Sequence, residues 1–290
     1  MLNQRCLFIK FSYRFIYIIN MITNCELPNT LLKYNMELND YDFVLFHLLR
    51  DNKEYREYYF NIKRNHPERL MILDNSAYEF FVKGEELNLD EFVKWINWLM
   101  PDYYILPDYL MDREKTINSI IEFMDKYKIE CSKPLAVAQG KTSEELTDCL
   151  IRYKVLGIDY VGVPFHLSFY KNYPIKDDIS HEFLTTYKEC NEDLLYAMGR
   201  VSWIRDHENV LRMFENKVHI LGSHCPLEKL FYKDLYSMDT GYPVKLGITE
   251  CNMFEEKSKP NIIIDEFLDK KLTENQINTI ISNIQKFKNI

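Results

Sequence analysis

The polar residues of this chain gather at the ends of short apolar runs. Asp74-Asn75-Ser76-Ala77-Tyr78-Glu79 follows Leu70–Leu73, Pro107-Asp108 follows Tyr103–Leu106, and Gln139-Gly140 follows Leu135–Ala138. Farther along come Val161-Gly162-Val163-Pro164, Met198-Gly199-Arg200, Gly222-Ser223-His224-Cys225 and Ser237-Met238-Asp239-Thr240-Gly241. Acids, amides, glycines and a histidine are thus expected on one rim. Asp74 and Asp239 stand out, because two carboxylates facing a common pocket can supply a nucleophile and a proton carrier. Taken singly, each residue has an ordinary reading. Asp108 can cap the next helix, a glycine can serve a turn, Gln139 can tie down its loop, and His224, ahead of Pro226, can hydrogen-bond within its own loop. The convergence carries the argument.

Such a rim needs elements to hold it. The apolar runs Phe43–Leu49, Leu70–Leu73, Tyr103–Leu106, Leu135–Ala138, Tyr160–Val163, Leu194–Met198, Val218–Leu221 and Tyr236–Met238 are continuous rather than alternating. That pattern suits strands buried on both faces of a parallel sheet. Between them Leu89, Phe92, Val93, Ile96 and Leu99 follow helical spacing, as do Ile117, Ile120, Ile121 and Met124. Thr142 and Glu145 read as a capping box, with Gly157 closing that helix. Thr273 and Gln276 open a last helix carrying Ile277, Ile280, Ile281, Ile284 and Phe287 on one face. Strand–helix alternation through eight units predicts an α/β fold, a single (β/α)8 TIM-type barrel, over an open doubly wound sheet. The barrel is expected over 36–290, with 1–35 as an N-terminal extension. Met21 is an alternative start, which would make residues 1–20 a translated upstream stretch rather than a native strand or helix.

The 290 residues, 47% hydrophobic and 28% charged, are ordinary for a chain with a real core. The formal charge of −8 announces no basic nucleic-acid surface. The seven cysteines are dispersed, with no CxxC pair, which reads as reduced thiols in a cytoplasm and leaves no zinc-site spacing. Leu7–Ile19 is apolar but broken by Lys10 and Arg14, too short and too charged for a membrane span or a secretion signal.

The rim motifs resemble, in order and spacing over roughly residues 40–250, the tRNA-guanine transglycosylase superfamily. Leu73-Asp74-Asn75-Ser76-Ala77-Tyr78 is similar to that family's Asp-Ser-Gly-Gly-Phe-Gln segment, with Ser76-Ala77 in place of Gly-Gly. Pro107-Asp108 sits where the family keeps a guanine-reading Asp, and Ala138-Gln139-Gly140 resembles its Gln-Gly-Gly turn. Val161-Gly162-Val163 resembles its Ala-Val-Gly stretch, and Tyr196-Ala197-Met198-Gly199 its Leu-Met-Gly segment. Ser237-Met238-Asp239-Thr240 falls at its nucleophilic Asp. The phrases LDNSAYE, LPDYLMDREKT and SMDTGYPV look closest to the compact DpdA-like enzymes, which exchange guanine for a 7-deazaguanine in DNA. The zinc module of the tRNA enzymes is missing, which counts against tRNA.

The resemblance implies a base exchange at C1′ of a nucleoside. Asp239 would attack C1′ to give a covalent glycosyl-enzyme, and Asp74 would serve as general acid–base. Asp108 would read the guanine edge with Gln139 and the Gly162 backbone, Tyr78 and Met198 would sandwich the ring, and Asn75 would line the pocket. Arg200 first, and Lys245, would contact phosphate, with Lys141, Arg205, Lys229 and Lys233 nearby. The target nucleotide would be flipped or single-stranded. No metal or cofactor is expected, since exchange involves no redox step and no P-loop or GxGxxG is present. Expected partners are nucleic acid, DNA ahead of tRNA, and a guanine or preQ0-like base, with an accessory protein as a source of DNA affinity. Alternatives are the same chemistry on tRNA, a non-catalytic nucleobase-binding barrel, and a two-carboxylate glycoside hydrolase.

Overall fold

The computed structural model describes residues 21–165, 167–187, 191–215, 217–223, 225–232, 234–254, 262 and 264–290. Its centre is a single ring of parallel strands: β1 (Ile22–Cys25), β2 (Asp42–Leu45), β3 (Met71–Asp74), β4 (Tyr103–Ile105), β5 (Lys133–Val137), β6 (Val161–Pro164), β7 (Val218–Leu221) and β8 (Ser237–Thr240). Neighbours run in the order β1-β8-β7-β6-β5-β4-β3-β2. The remaining seam, between β1 and the approach to β2, is closed by other bonds. Asp40 N donates to Thr23 O at 3.0 Å, Asn24 Nδ2 to Tyr41 O at 2.8 Å, and Cys25 N to Asn39 Oδ1 at 2.7 Å. The result is a nearly closed (β/α)8 barrel, as the alternation of apolar runs and amphipathic segments predicts.

The helices form where capping and periodicity place them. Helix Leu89–Leu99 starts at Asn88, whose side chain accepts from Glu91 N, and it buries Phe92, Ile96 and Leu99. Helix Arg113–Lys126 starts at Asp112 in the same way. Thr142 caps helix Ser143–Val155, and Thr273 with Gln276 forms a complete capping box on helix Glu274–Lys288. Each such cap satisfies an amide that the first turn leaves without a partner and is worth about 1 kcal/mol.

Two expected strands are different in the structure. Leu194–Met198 lies in helix Glu192–Asp206, capped by Asn191, whose Oδ1 accepts from Leu194 N at 2.9 Å. This helix is buried from Ala197 through Ile204, so it lacks a polar stripe and its apolar run imitates an interior strand. The missing strand is β1, inside the segment expected to be an extension; it pairs with β8, Asn24 lying level with Asp239. The barrel therefore includes residue 22 and does not wait until 36. The Phe43–Leu49 run also divides, into β2 and helix Phe46–Asp51. The alternatives for residues 1–20 lie outside the described residues.

Candidate active site

Side chains alternate along a strand, so every second residue points into the barrel. On β8 these are Ser237 and Asp239, and on β7 His219 and Leu221. At the C-terminal end of the ring Asp239 and Leu221 help to line a cavity of about 240 Å³. Asp74, Asn75, Tyr78, Asp108, Gln139, Asp239 and Lys245 all line it. Seven of the residues singled out by type and position thus meet in one place. The lining also includes Glu26 and Glu79, which give it five carboxylates against one cation, Lys245.

The two central acids sit in contrasting surroundings. Asp74, 9% exposed, ends β3, and its Oδ2 accepts from Ser76 N at 2.7 Å. Burial and then the negative charge of Glu79 push its carboxyl well above the ordinary range; the Ser76 amide opposes this, and the charges of Asp108 and Asp239 add to it. A carboxyl so placed holds its proton more tightly than an ordinary aspartate. Asp239, 4% exposed, has two nitrogens on Oδ1 instead: Gly222 N donates at 3.0 Å, and His219 Nε2 is hydrogen-bonded at 3.0 Å. Gly222 reaches this position with φ +60, a left-handed conformation that glycine adopts without steric cost. Two acids with such unlike partners are equipped for different tasks.

Asp108 is held by amides on both oxygens. Asn75 Nδ2 donates to Oδ1 at 2.8 Å, and Gln139 Nε2 to Oδ2 at 2.7 Å. Burial raises its carboxyl to about 6 even though both hydrogen bonds favour the charged form. The amides are themselves committed. Asn75 also donates to Leu106 O and accepts from Ala77 N, and Gln139 Oε1 accepts from Met111 N. Both residues therefore orient Asp108, and Gln139, which lines the cavity, carries a second Nε2 hydrogen beyond the one given to Asp108. No helix in the described residues is capped by Asp108.

Three expected site residues lie elsewhere. Met198, on helix Glu192–Asp206, is buried in the core and does not line the cavity; Leu221, Phe165 and Leu167 supply apolar lining. Gly162 lies beneath the cavity. A Cβ there would come within 2.4 Å of Leu221 Cδ1 and 3.1 Å of Val137 Cγ2, so its contribution is space for those two lining side chains. Its carbonyl accepts from Ala138 N, between neighbouring strands. Arg200 is 0% exposed and cannot meet phosphate. Its guanidinium donates to Glu228 Oε2 at 2.9 and 2.5 Å, to Leu221 O at 3.0 Å and to Gly222 O at 2.8 Å. A buried arginine so paired clamps the end of β7, which carries the Gly222 amide that reaches Asp239. Of the other cations, Arg205 pairs with Asp178 and Lys229 caps the last helix through Phe287 O and Lys288 O. His224 and Lys233 lie outside the described residues.

No protein-family model matches this chain, and no curated protein does. Among the described residues no group of three or more His, Cys, Asp or Glu is placed to hold a metal ion, and no helix is long and apolar enough to cross a membrane.

His219, Glu26 and Glu79 are functional candidates that sequence reasoning did not select. Inside Val218-His219-Ile220-Leu221 the histidine reads as one polar residue in a core strand. The available signal was register: His219 shares its face with Leu221 and lies level with Ser237 across β7 and β8. Glu26 follows a strand that was not anticipated.

Proposed function

We propose that this barrel is a base-exchange transglycosylase, replacing guanine by a 7-deazaguanine in nucleic acid, with DNA as the preferred polymer. The observation that carries the reading is the pair of acids in one cavity with opposite equipment. Asp74 is crowded by carboxylates that raise its affinity for a proton; Asp239 has one oxygen held by Gly222 N and His219 Nε2, while its carboxylate faces the cavity.

In this mechanism Asp239 Oδ2 attacks C1′ as the C1′–N9 bond breaks. The electron pair leaves with guanine, and Asp74 delivers a proton to it. In the second step the incoming base loses its N9 proton to Asp74 and forms the new bond to C1′. The C1′–Oδ2 bond breaks, and its electron pair returns to Asp239. Two displacements retain the anomeric configuration.

Asp108 suits the donor edge of guanine, its ring N–H and exocyclic amine, and would leave adenine poorly matched. Tyr78, 55% exposed at the mouth, offers a face for stacking. The acidic lining favours a donor-rich base, and Lys245 is the cation in that lining available to a phosphate. A base inside a duplex cannot reach this depth, so the nucleotide must be flipped out or single-stranded. The dispersed cysteines fit a cytoplasmic setting, and an accessory protein would offset the chain's negative charge on DNA.

The test is incorporation of radiolabelled guanine by the full chain into duplex DNA, single-stranded DNA and tRNA. Incorporation into DNA, abolished in Asp239→Ala with the fold intact, is the expected result. Incorporation into tRNA alone would move the substrate assignment. No incorporation into any of the three, with a nucleobase still bound, would make this a binding protein.

A further inference from the structure

Behind Asp239, away from the cavity, lies a row of buried polar groups that the two-acid chemistry does not use. His219 is fully buried. Its Nε2 meets Asp239 Oδ1 at 3.0 Å and its Nδ1 meets Ser237 Oγ at 2.7 Å. Ser237 Oγ in turn is hydrogen-bonded to the Tyr160 hydroxyl. Phe43 stacks on the imidazole with ring centres 5.1 Å apart, and Tyr41 and Tyr160 meet it edge-on. Polar atoms in a barrel interior are costly unless paired, and a chain of four with one end at a reacting group is more than packing requires.

Resting on the reading of Asp239 as nucleophile, we infer that His219 is its positioning residue, with Ser237 and Tyr160 setting the ring's tautomer. For a neutral imidazole beside an Asp239 carboxylate the donor ledger has one consistent solution. A carboxylate only accepts, so Nε2 carries a proton and donates to Oδ1. Ser237 then gives its hydroxyl proton to Nδ1, and Tyr160 gives its own to Ser237 Oγ. Every group in the row is satisfied. With Gly222 N also on Oδ1, the carboxylate plane is fixed from two directions, and Oδ2 is the oxygen presented to C1′. When the C1′–Oδ2 bond breaks in the second step, the same two donors receive the charge returning to Oδ1. The row supplies orientation and charge stabilisation, and no proton leaves it during the cycle.

The experiment compares His219→Gln, whose amide N–H can still reach Oδ1, with His219→Leu, which offers no donor. Both are measured in the guanine-exchange assay, with thermal unfolding as a check on the fold. His219→Leu is expected to lose roughly 100-fold in kcat, the scale of a lost hydrogen bond to a charged group in a site where geometry matters. KM for the base should stay within about threefold, and His219→Gln within about tenfold of wild type in kcat. A merely structural histidine would not be rescued by glutamine. The inference falls if His219→Leu keeps more than about a third of the rate, if glutamine is no better than leucine, or if the loss appears in KM.

A second readout needs no activity. In 15N-histidine NMR of the wild-type chain, the imidazole assigned by its loss in His219→Gln should be protonated at Nε2 and unprotonated at Nδ1. A proton on Nδ1 overturns the inference. A chain that exchanges no base yet shows the Nε2–H form would overturn the proposed function and leave the hydrogen-bonded row standing.

Discussion

Replacing Arg200 by methionine removes one of the most enclosed charges in the barrel, and its consequence can be worked out from the partners it leaves behind. Arg200 and Glu228 both have side chains 0% exposed. Without the guanidinium, Glu228 keeps only Tyr232 Oη at 2.7 Å and Ser223 Oγ at 3.2 Å, and the carbonyls of Leu221 and Gly222 lose their donor. Breaking a buried ion pair from one side costs about 3–5 kcal/mol, against a total stability of about 5–15 kcal/mol for a domain. The loss should depend on pH. Burial already raises the Glu228 carboxyl, with the Arg200 charge opposing it; in Arg200→Met that opposition is gone and it rises further. A carboxyl raised in the folded state binds its proton more tightly there than in the unfolded chain. Stability is therefore fullest below the unfolded value and declines as pH climbs toward the folded one, by up to about 1.4 kcal/mol per pH unit. Urea unfolding followed by circular dichroism at pH 5 and pH 7.5 should show the variant closer to wild type at pH 5. The double variant Arg200→Met/Glu228→Gln should recover about half of the loss, since no charge is stranded. A penalty below about 1 kcal/mol for Arg200→Met, or a double variant no better than the single, would refute the clamp.

Three further outcomes follow from the site and its supports. Asp108, raised to about 6 by burial against two hydrogen bonds, must be ionised to accept from a guanine edge. Base affinity measured by calorimetry should fall as pH drops below about 6, and Gln139→Leu, which removes a bond to the charged form, should move that midpoint upward; flat affinity between pH 5 and 7.5 would contradict this. Ser76 holds φ +58 while its Oγ meets His47 N at 3.1 Å and Nδ1 at 2.9 Å. Ser76→Gly trades relief of that backbone for the lost bonds and should stay within about 1 kcal/mol of wild type, whereas Ser76→Ala keeps the strain and should lose about 1–2 kcal/mol in the same urea titration. Gly199→Ala would place a Cβ 1.9 Å from Tyr170 O; a backbone collision of that kind should cost about 3 kcal/mol, and an unchanged unfolding midpoint would deny the close approach.

The barrel was legible because its signals are local. Continuous apolar runs mark β3 to β8 apart from one imitation, and caps at Thr142 and Thr273 sit where side chain and spacing place them. What misled was burial. The helix Glu192–Asp206 is enclosed on nearly all sides, so Leu194–Met198 carries no period to separate it from a strand, and Met198 and Arg200 were given places at a rim they do not reach. β1 reads Ile-Thr-Asn-Cys, with two polar residues at its centre, so it offers no continuous apolar run. Asp74, Asp108, Gln139 and Asp239 could be found because each stands at or just past a strand end. The roles of Asn75 and Gln139 could not, because an amide's partners depend on how neighbouring loops fold against it. His219 was hidden for the opposite reason: a polar residue in a core strand declares neither its rotamer nor its neighbour in sequence.

The most direct measurement is mass spectrometry of the peptide that carries Asp239. Full-length Asp74→Asn is incubated with guanine-containing DNA, denatured, and digested with protease and nuclease. With Asp239 as nucleophile and the acid–base partner disabled, a deoxyribosyl adduct should appear on Asp239 and on no other residue, and disappear in Asp74→Asn/Asp239→Ala. An adduct on a different side chain, or full base exchange by Asp239→Ala, would contradict the two-acid mechanism at its core.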